Sequence, residues 1–217
     1  VKPYPLVLSA PSGGGKTTIA YALVAAREDI GYSISATTRA PRPNERDGAD
    51  YHFLSRETFE RKVRAGEFLE WAEYSGQLYG TLKAEVDKVL ASGRHVVLDI
   101  EIQGAHAVRA AYPDAVLVFV VPPSAEELMQ RLGGIRGSRA ASLEARLRTA
   151  VRELGEALAY DYVVINADRT EAVAEVAAIV DAESRRPRRN PDLTDELAKL
   201  GLDIGALADR LSTTKEA

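Results

Sequence analysis

The sequence predicts an α/β fold: a central parallel sheet covered by helices on both faces, a three-layer sandwich. Three observations carry this expectation. Short, continuous apolar runs at 6–9, 95–100, 115–121 and 162–165 have the character of strands buried on both sides. Helical spacing separates them, near 16–27, 103–111, 142–159 and 170–184. Between the first run and the first helix lies Ala10-Pro11-Ser12-Gly13-Gly14-Gly15-Lys16-Thr17, the strand–loop–helix order that a phosphate-binding P-loop requires.

Taken in order, residues 6–9 form the first strand and 16–27 the first helix. Residues 32–35 read as a second short strand. The run 95–100 ends in a carboxylate, Asp99, before the helix near 103–111. Pro122-Pro123 stops the strand 115–121, and Ser124-Ala-Glu-Glu127 opens a helix with a capping signature. The helix 142–159, the strand 162–165 and the helix 170–184 complete the core. Two segments interrupt this rhythm. Residues 36–82 are polar, aromatic and arginine-bearing, as an insertion over a ligand would be. Residues 133–141 are rich in glycine and arginine and suit a lid. The expected organisation is a core of 1–35, 83–132 and 151–184, an inserted subdomain 36–82, a lid 133–150 and an extension 185–217. In the extension, Arg185 to Arg189 form a basic run that could be a solvated linker, a nucleic-acid contact or an inter-subunit contact. Two short apolar-periodic stretches follow, near 192–200 and 203–211.

Composition narrows the class. The 217 residues are 46% hydrophobic and 28% charged, with a net charge of −4, so nothing points to general nucleic-acid binding. There are no cysteines, hence no disulfide framework and no thiolate site, and the three histidines are not clustered for zinc. No run reaches membrane-spanning length, and the N-terminus lacks a signal-peptide pattern. A cytoplasmic enzyme without a membrane or nucleic-acid partner is the expectation; the oligomeric state is left open.

The P-loop carries the first chemistry. Small residues let successive backbone N–H groups turn onto a phosphate chain, and the following helix N-terminus adds its dipole. Lys16 can reach the β- and γ-phosphates, while the Thr17 hydroxyl and the Asp99 carboxylate can organise Mg²⁺. Ala10 stands where the consensus has its first glycine. The second feature is Arg39 and Arg42 with Tyr51 nearby, since two planar guanidinium forks and a phenol can surround one phosphate. The third is Glu70 in the setting Gly66-Glu-Phe-Leu-Glu-Trp-Ala72, followed by Tyr79. A carboxylate accepts two N–H groups side by side, and guanine offers that pair at N1 and N2 where adenine does not.

These motifs resemble those of the guanylate kinases. The resemblance rests on Ser9–Thr17, Thr37–Arg42, Gly48–Phe53, Glu67–Ala72, Tyr79–Thr81, Leu98–Gly104 and Phe119–Ser124, in family order, over roughly residues 4–184. It implies Mg²⁺-dependent transfer of a phosphoryl group from ATP, the co-substrate, to GMP or dGMP in purine nucleotide metabolism. It further implies that Arg39, Arg42, Tyr51 and Tyr79 bind the GMP phosphate, that Glu70, Ser35 and Thr81 read the guanine, and that Glu45 lines the same site. Ala10, Pro11, Ser12, Gly13, Gly14, Gly15, Lys16, Thr17 and Thr18 would bind ATP, with Asn166 near its adenine. Lys16, Arg39, Arg136 and Arg146 would be catalytic.

Three departures stand out. Glu101 replaces the usual aspartate of a guanine-reading pair and reaches one methylene further. Asn44 replaces a loop glycine and tolerates a left-handed turn nearly as well. In the lid, Ile135 falls where an arginine is usual, leaving Arg136 or Arg139 to contact ATP. Two other readings remain: a P-loop kinase for another phosphorylated acceptor, and a non-catalytic guanylate-kinase-like module that binds proteins.

Overall fold

The computed structural model describes residues 1–74, 76–133 and 140–215. The chain divides into two units, Pro3–Ala177 and Val1–Lys2 with Ala178–Ala217. The larger unit is built on a five-stranded sheet of β1 (Pro5–Ser9), β2 (Ile30–Tyr32), β7 (His95–Asp99), β8 (Val116–Val121) and β9 (Tyr162–Ile165). Its order is β2-β7-β1-β8-β9 and every pairing is parallel. Every residue of β1 is buried, which explains why its sequence is a continuous apolar run rather than an alternating one. Helices α1 (Lys16–Ala26), α3 (Lys83–Ala91), α4 (Ile102–Ala111), α5 (Ala125–Arg131), α6 (Ala140–Gly155) and α7, which starts at Arg169 and runs to Ser184, fill the connections. Ser124 caps α5 by accepting from the Glu127 N–H at 3.2 Å, as the capping pattern requires.

The register sets the site. Leu8 pairs with Asp99 on one side and Val118 on the other. The carboxylate at the end of β7 therefore emerges beside the end of β1, where the P-loop begins.

Residues 36–82 form a second, four-stranded sheet of β3 (Ala36–Thr37), β4 (His52–Phe53), β5 (Phe68–Tyr74) and β6 (Gln77–Leu82), ordered β4-β3-β6-β5. Helix α2 (Arg56–Arg64) packs on it through Phe59, whose ring stacks on Phe68 at 4.3 Å. Phe59, Phe68, Leu78 and Ala36 give this segment its own small core.

Three elements differ from the expectation by more than one residue. The second strand lies at Ile30–Tyr32, not 32–35, because it pairs with His95–Val97; Gly31 sits where an added Cβ would be 2.5 Å from Val89. The helix expected over 142–159 spans Ala140–Gly155, with a separate 3₁₀ turn Ala157–Ala159. The two stretches expected near 192–200 and 203–211 are one helix, α8 (Pro191–Lys215). Gly201 and Gly205 lie inside it, each a cost of about 1 kcal/mol relative to alanine that does not break a helix.

In the smaller unit the basic run gathers on one carboxylate. Glu183 is 2% exposed and accepts from Arg189 Nη2 at 2.8 Å and Arg186 Nη2 at 2.9 Å, with Arg188 at 4.0 Å. The Lys2 N–H donates to the Arg189 carbonyl at 2.7 Å. Most of this arginine charge thus compensates a buried acid, as burial of a carboxylate requires.

Candidate active site

The P-loop is shaped by its glycines. Gly13 and Gly15 take φ of 84° and 97°, the left-handed region that L side chains avoid. A Cβ on Gly15 would also meet the Asn166 amide nitrogen at 2.4 Å. The loop closes through Gly14 N–H to the Pro11 carbonyl at 2.7 Å, and Asn166 Nδ2 donates to the Gly14 carbonyl at 2.9 Å. Ala10 is buried at the end of β1. Asn166 itself is buried just beyond β9, so its amide fixes the loop as well as facing the space beside it.

Lys16 begins α1, and its Nζ contacts Glu101 Oε1 at 2.9 Å. Thr17 Oγ1 donates to Asp99 Oδ2 and Tyr32 OH donates to Asp99 Oδ1, each at 2.5 Å. Burial, then the Asp99 charge, raises the Tyr32 phenol above its ordinary value, so it remains a donor. Arg146 on α6 reaches back to the loop, donating from Nη2 to Ser12 Oγ at 2.9 Å.

On the opposite side, Arg39 Nη2 contacts Glu45 Oε1 at 2.8 Å while Glu45 Oε2 accepts the Arg42 backbone N–H at 2.8 Å. Arg39 holds the Glu45 carboxyl below its ordinary value, and Glu45 raises Arg39 in turn. The guanidinium lies 5.4 Å from the Tyr51 ring centre, and Tyr51 meets Tyr79 edge-on at 6.3 Å. Arg39, Tyr51 and Tyr79 are thus brought together. The Arg42 side chain is exposed and is not among them.

Glu70 owes its position to a β-bulge. Phe68 pairs with Leu82, and an unbroken ladder would set Leu69 opposite Thr81; the register shift sets Glu70 there instead. Thr81 Oγ1 then donates to Glu70 Oε1 at 2.6 Å. Burial raises the Glu70 carboxyl above its ordinary value, the Thr81 donors oppose this, and the Glu101 charge adds to the rise. Gly104 on α4 lets the helix come close, since a Cβ there would lie 2.9 Å from Glu70 Cγ. Glu101 stands at the N-terminal end of α4 without a side-chain capping bond, and its carboxylate is engaged with Lys16.

Two cavities flank the P-loop. One, of about 490 Å³, is lined by Pro11, Gly13, Gly15, Thr18, Arg131 and Asn166, together with Lys16, Thr17 and Arg169. The other, of about 690 Å³, has Ser35, Tyr51, Glu70 and Tyr79 on one side and Asp99, Glu101 and Arg146 on the other. Lys16 and Thr17 line both. Arg136 and Arg139 lie outside the described residues.

Several residues at these cavities were not anticipated, among them Tyr21, Tyr32, Arg131 and Glu153. Tyr32 and Tyr21, stacked at 4.8 Å, carry no motif signal. Arg131 donates to the Asn166 carbonyl at 2.9 Å, and its Nη1 is buried without a hydrogen-bond partner; its place just before the glycine–arginine segment was the available clue. Glu153 has a carboxyl raised by burial and then by the Glu101 charge, with Lys16 acting against the rise.

Comparisons with known proteins point to a single family. A family model described as guanylate kinase matches residues 2–183. The guanylate kinase of Symbiobacterium thermophilum is 48% identical over 204 residues, covering 94% of this chain and 95% of the relative. That of Rubrobacter xylanophilus is 50% identical over 175 residues, covering 81% and 92%. A crystal structure of guanylate kinase from Anaplasma phagocytophilum superposes with a TM-score of 0.69 at 35% identity, over 86% of this chain and 89% of that one. With a matched family model over most of its length and relatives near half identity, this chain belongs to the guanylate kinase family.

Proposed function

We infer that the chain is an ATP:GMP phosphotransferase, moving the γ-phosphoryl group of ATP onto GMP to give ADP and GDP. The observation that carries this reading is the position of Lys16 and Thr17, which line both cavities. A group held there is within reach of a nucleotide on either side, as transfer between two bound nucleotides requires.

The ATP phosphates would lie on the Gly13–Gly15 amides and Lys16, with Thr18, Arg131 and Asn166 beside the rest of the nucleotide. Arg39, Tyr51 and Tyr79 would take the GMP phosphate, Arg42 joining them by a change of rotamer. Glu70, oriented by Thr81, would accept the guanine N1–H and N2–H, with Ser35 and Glu101 at the same cavity. A phosphate oxygen of GMP attacks the γ-phosphorus in line, ADP leaves, and no protein nucleophile takes part. Lys16 and Arg146 compensate the charge that develops on the transferred group.

The donors available for a divalent cation are the Thr17 hydroxyl and the Asp99 carboxylate. These are hard oxygen ligands of the kind Mg²⁺ takes alongside substrate phosphates and water. When bound, Mg²⁺ neutralises phosphate charge. Residues 36–82 serve in this reading as the acceptor-binding subdomain and 133–150 as the lid. No described helix is long and apolar enough to cross a membrane, and a cytoplasmic place in purine nucleotide metabolism goes with the reaction.

A coupled assay with ATP and GMP, dGMP, AMP, CMP or UMP tests the proposal. Turnover with GMP and dGMP is expected. Turnover only with another acceptor identifies a different kinase, and none with any acceptor leaves a binding module.

A further inference from the structure

We propose that α8 is a self-association element that pairs antiparallel with α8 of a second copy of this chain. The helix is 25 residues long, about 37 Å at 1.5 Å per residue. Leu193, Leu197, Leu200, Ile204, Leu207 and Leu211 recur along it at alternating steps of four and three. This is the seam of a two-stranded coiled coil. Leu197, Leu200, Ile204 and Leu207 are 57%, 53%, 57% and 57% exposed. Four successive seam residues exposed on an otherwise polar helix mark a surface that another element covers.

The sequence also specifies the occupant and its direction. In an antiparallel pair, Leu197 layers against Leu207 and Leu200 against Ile204, and the same two layers repeat in reverse. The stripe is therefore complementary to itself, as a two-fold interface requires. The residues flanking one side of the seam are Glu196, Asp203 and Arg210. Antiparallel alignment sets Glu196 beside the second copy's Arg210, twice, and Asp203 beside its own counterpart at the two-fold axis. Parallel alignment would set Arg210 beside Lys215 and give the two acids only Gly201 and Ala208. Charge complementarity thus favours the antiparallel arrangement.

Sedimentation equilibrium of the full chain over a wide concentration range should show a monomer–dimer equilibrium. Leu200→Glu and Ile204→Glu should each weaken it about tenfold or more while leaving GMP phosphorylation unchanged, the latter showing that the fold is intact. The chain contains no cysteine, so single cysteines report the direction. Asp203→Cys should form a disulfide-linked dimer under mild oxidation, and Leu193→Cys should not. A monomer at every concentration, or a dimer indifferent to both glutamate variants, overturns the proposal. Efficient cross-linking of Leu193→Cys overturns the antiparallel pairing. A monomer whose melting temperature falls with Ile204→Glu shows that the helix packs on its own chain, which also overturns it.

Discussion

Lys16 and Arg39, the cations proposed for the donor and acceptor halves of the site, are each held by a glutamate, at 2.9 and 2.8 Å. The two pairs are nevertheless built differently. Lys16 meets Glu101, a residue distant in sequence whose side chain is 64% exposed. Arg39 meets Glu45, six residues away, with the two side chains only 19% and 17% exposed. Glu45 is fixed further by the Arg42 N–H, and Arg39 by the Tyr51 and Phe53 rings. An ion pair open to water is worth about 0–1 kcal/mol, so Lys16 can exchange Glu101 for phosphate at little cost. Arg39 is oriented by Glu45 and the two rings without a ligand, so GMP bound there as proposed would not have to supply that ordering. In this reading the donor half positions its ligand with rigid backbone and a mobile lysine. The acceptor half does so with side chains locked against one another.

Removing the cation of each half tests how independent they are. Lys16→Ala should lower turnover by about 10²- to 10³-fold, the usual cost of losing one donor to transition-state charge, while calorimetry finds GMP affinity unchanged. Loss of GMP binding in that variant would break the division into halves. Arg39→Ala should raise the Kd for GMP roughly tenfold to a hundredfold, since hydrogen bonds to charged groups are worth about 1.5–3 kcal/mol. The KM for ATP should stay near its starting value. Glu45→Gln should show a weaker form of the same defect, with Arg39 present but no longer aimed.

Glu70 sharpens the comparison through pH. Its carboxyl is raised above the ordinary 4.5, so on acidification it protonates earlier than a free glutamate and loses an acceptor for guanine. GMP affinity should decline as the pH falls through a window above 4.5, and Glu70→Gln should abolish that dependence. The same variant should bind GMP about tenfold more weakly at neutral pH, equivalent to 1.4 kcal/mol, and discriminate less against AMP. Stability moves the other way. A raised carboxyl favours folding below its unfolded value, and that contribution is lost as the pH rises through its native value. Glu70→Gln should therefore be more stable than the parent chain above that window. Titration of GMP binding by calorimetry and thermal melts across the range check both.

The sequence displayed the donor half more fully than the acceptor half, for physical reasons. A parallel strand buried on both faces must be a continuous apolar run, and a loop with φ near 90° must contain glycine, so β1 and the P-loop are visible in composition alone. The Glu70–Thr81 contact depends on a one-residue register shift in β5, which no pattern of residue types reveals. Arg39 was visible as a basic residue near tyrosines, but its bond to Glu45 follows from the turn at 42–45. Tyr32 reads as the start of a strand, but β2 holds only three residues and one is Gly31, so its true bounds, and with them the Tyr32 contact to Asp99, follow from pairing with β7. The arginines at 185–189 carried an ambiguous charge signal. Their principal partner, Glu183, looks in sequence like any other acid of an amphipathic helix.

Glu101→Gln is expected to have the smallest effect and bears most directly on the contrast between the halves. Its carboxylate occupies Lys16, where the proposed reading puts a phosphate, and its charge also raises Glu70 and Glu153. Neutralising it should release Lys16 and tighten ATP binding by a factor of about two to five, within the 0–1 kcal/mol of an exposed pair. Salt should reduce the difference, because exposed charges are screened. The Glu70 window for GMP should move toward lower pH, since one charge opposing ionisation is gone. If Glu101 instead reads the base, GMP affinity should fall and ATP affinity stay unchanged. Isothermal titration with each nucleotide separately, at two ionic strengths, distinguishes a residue that restrains the lysine from one that selects guanine.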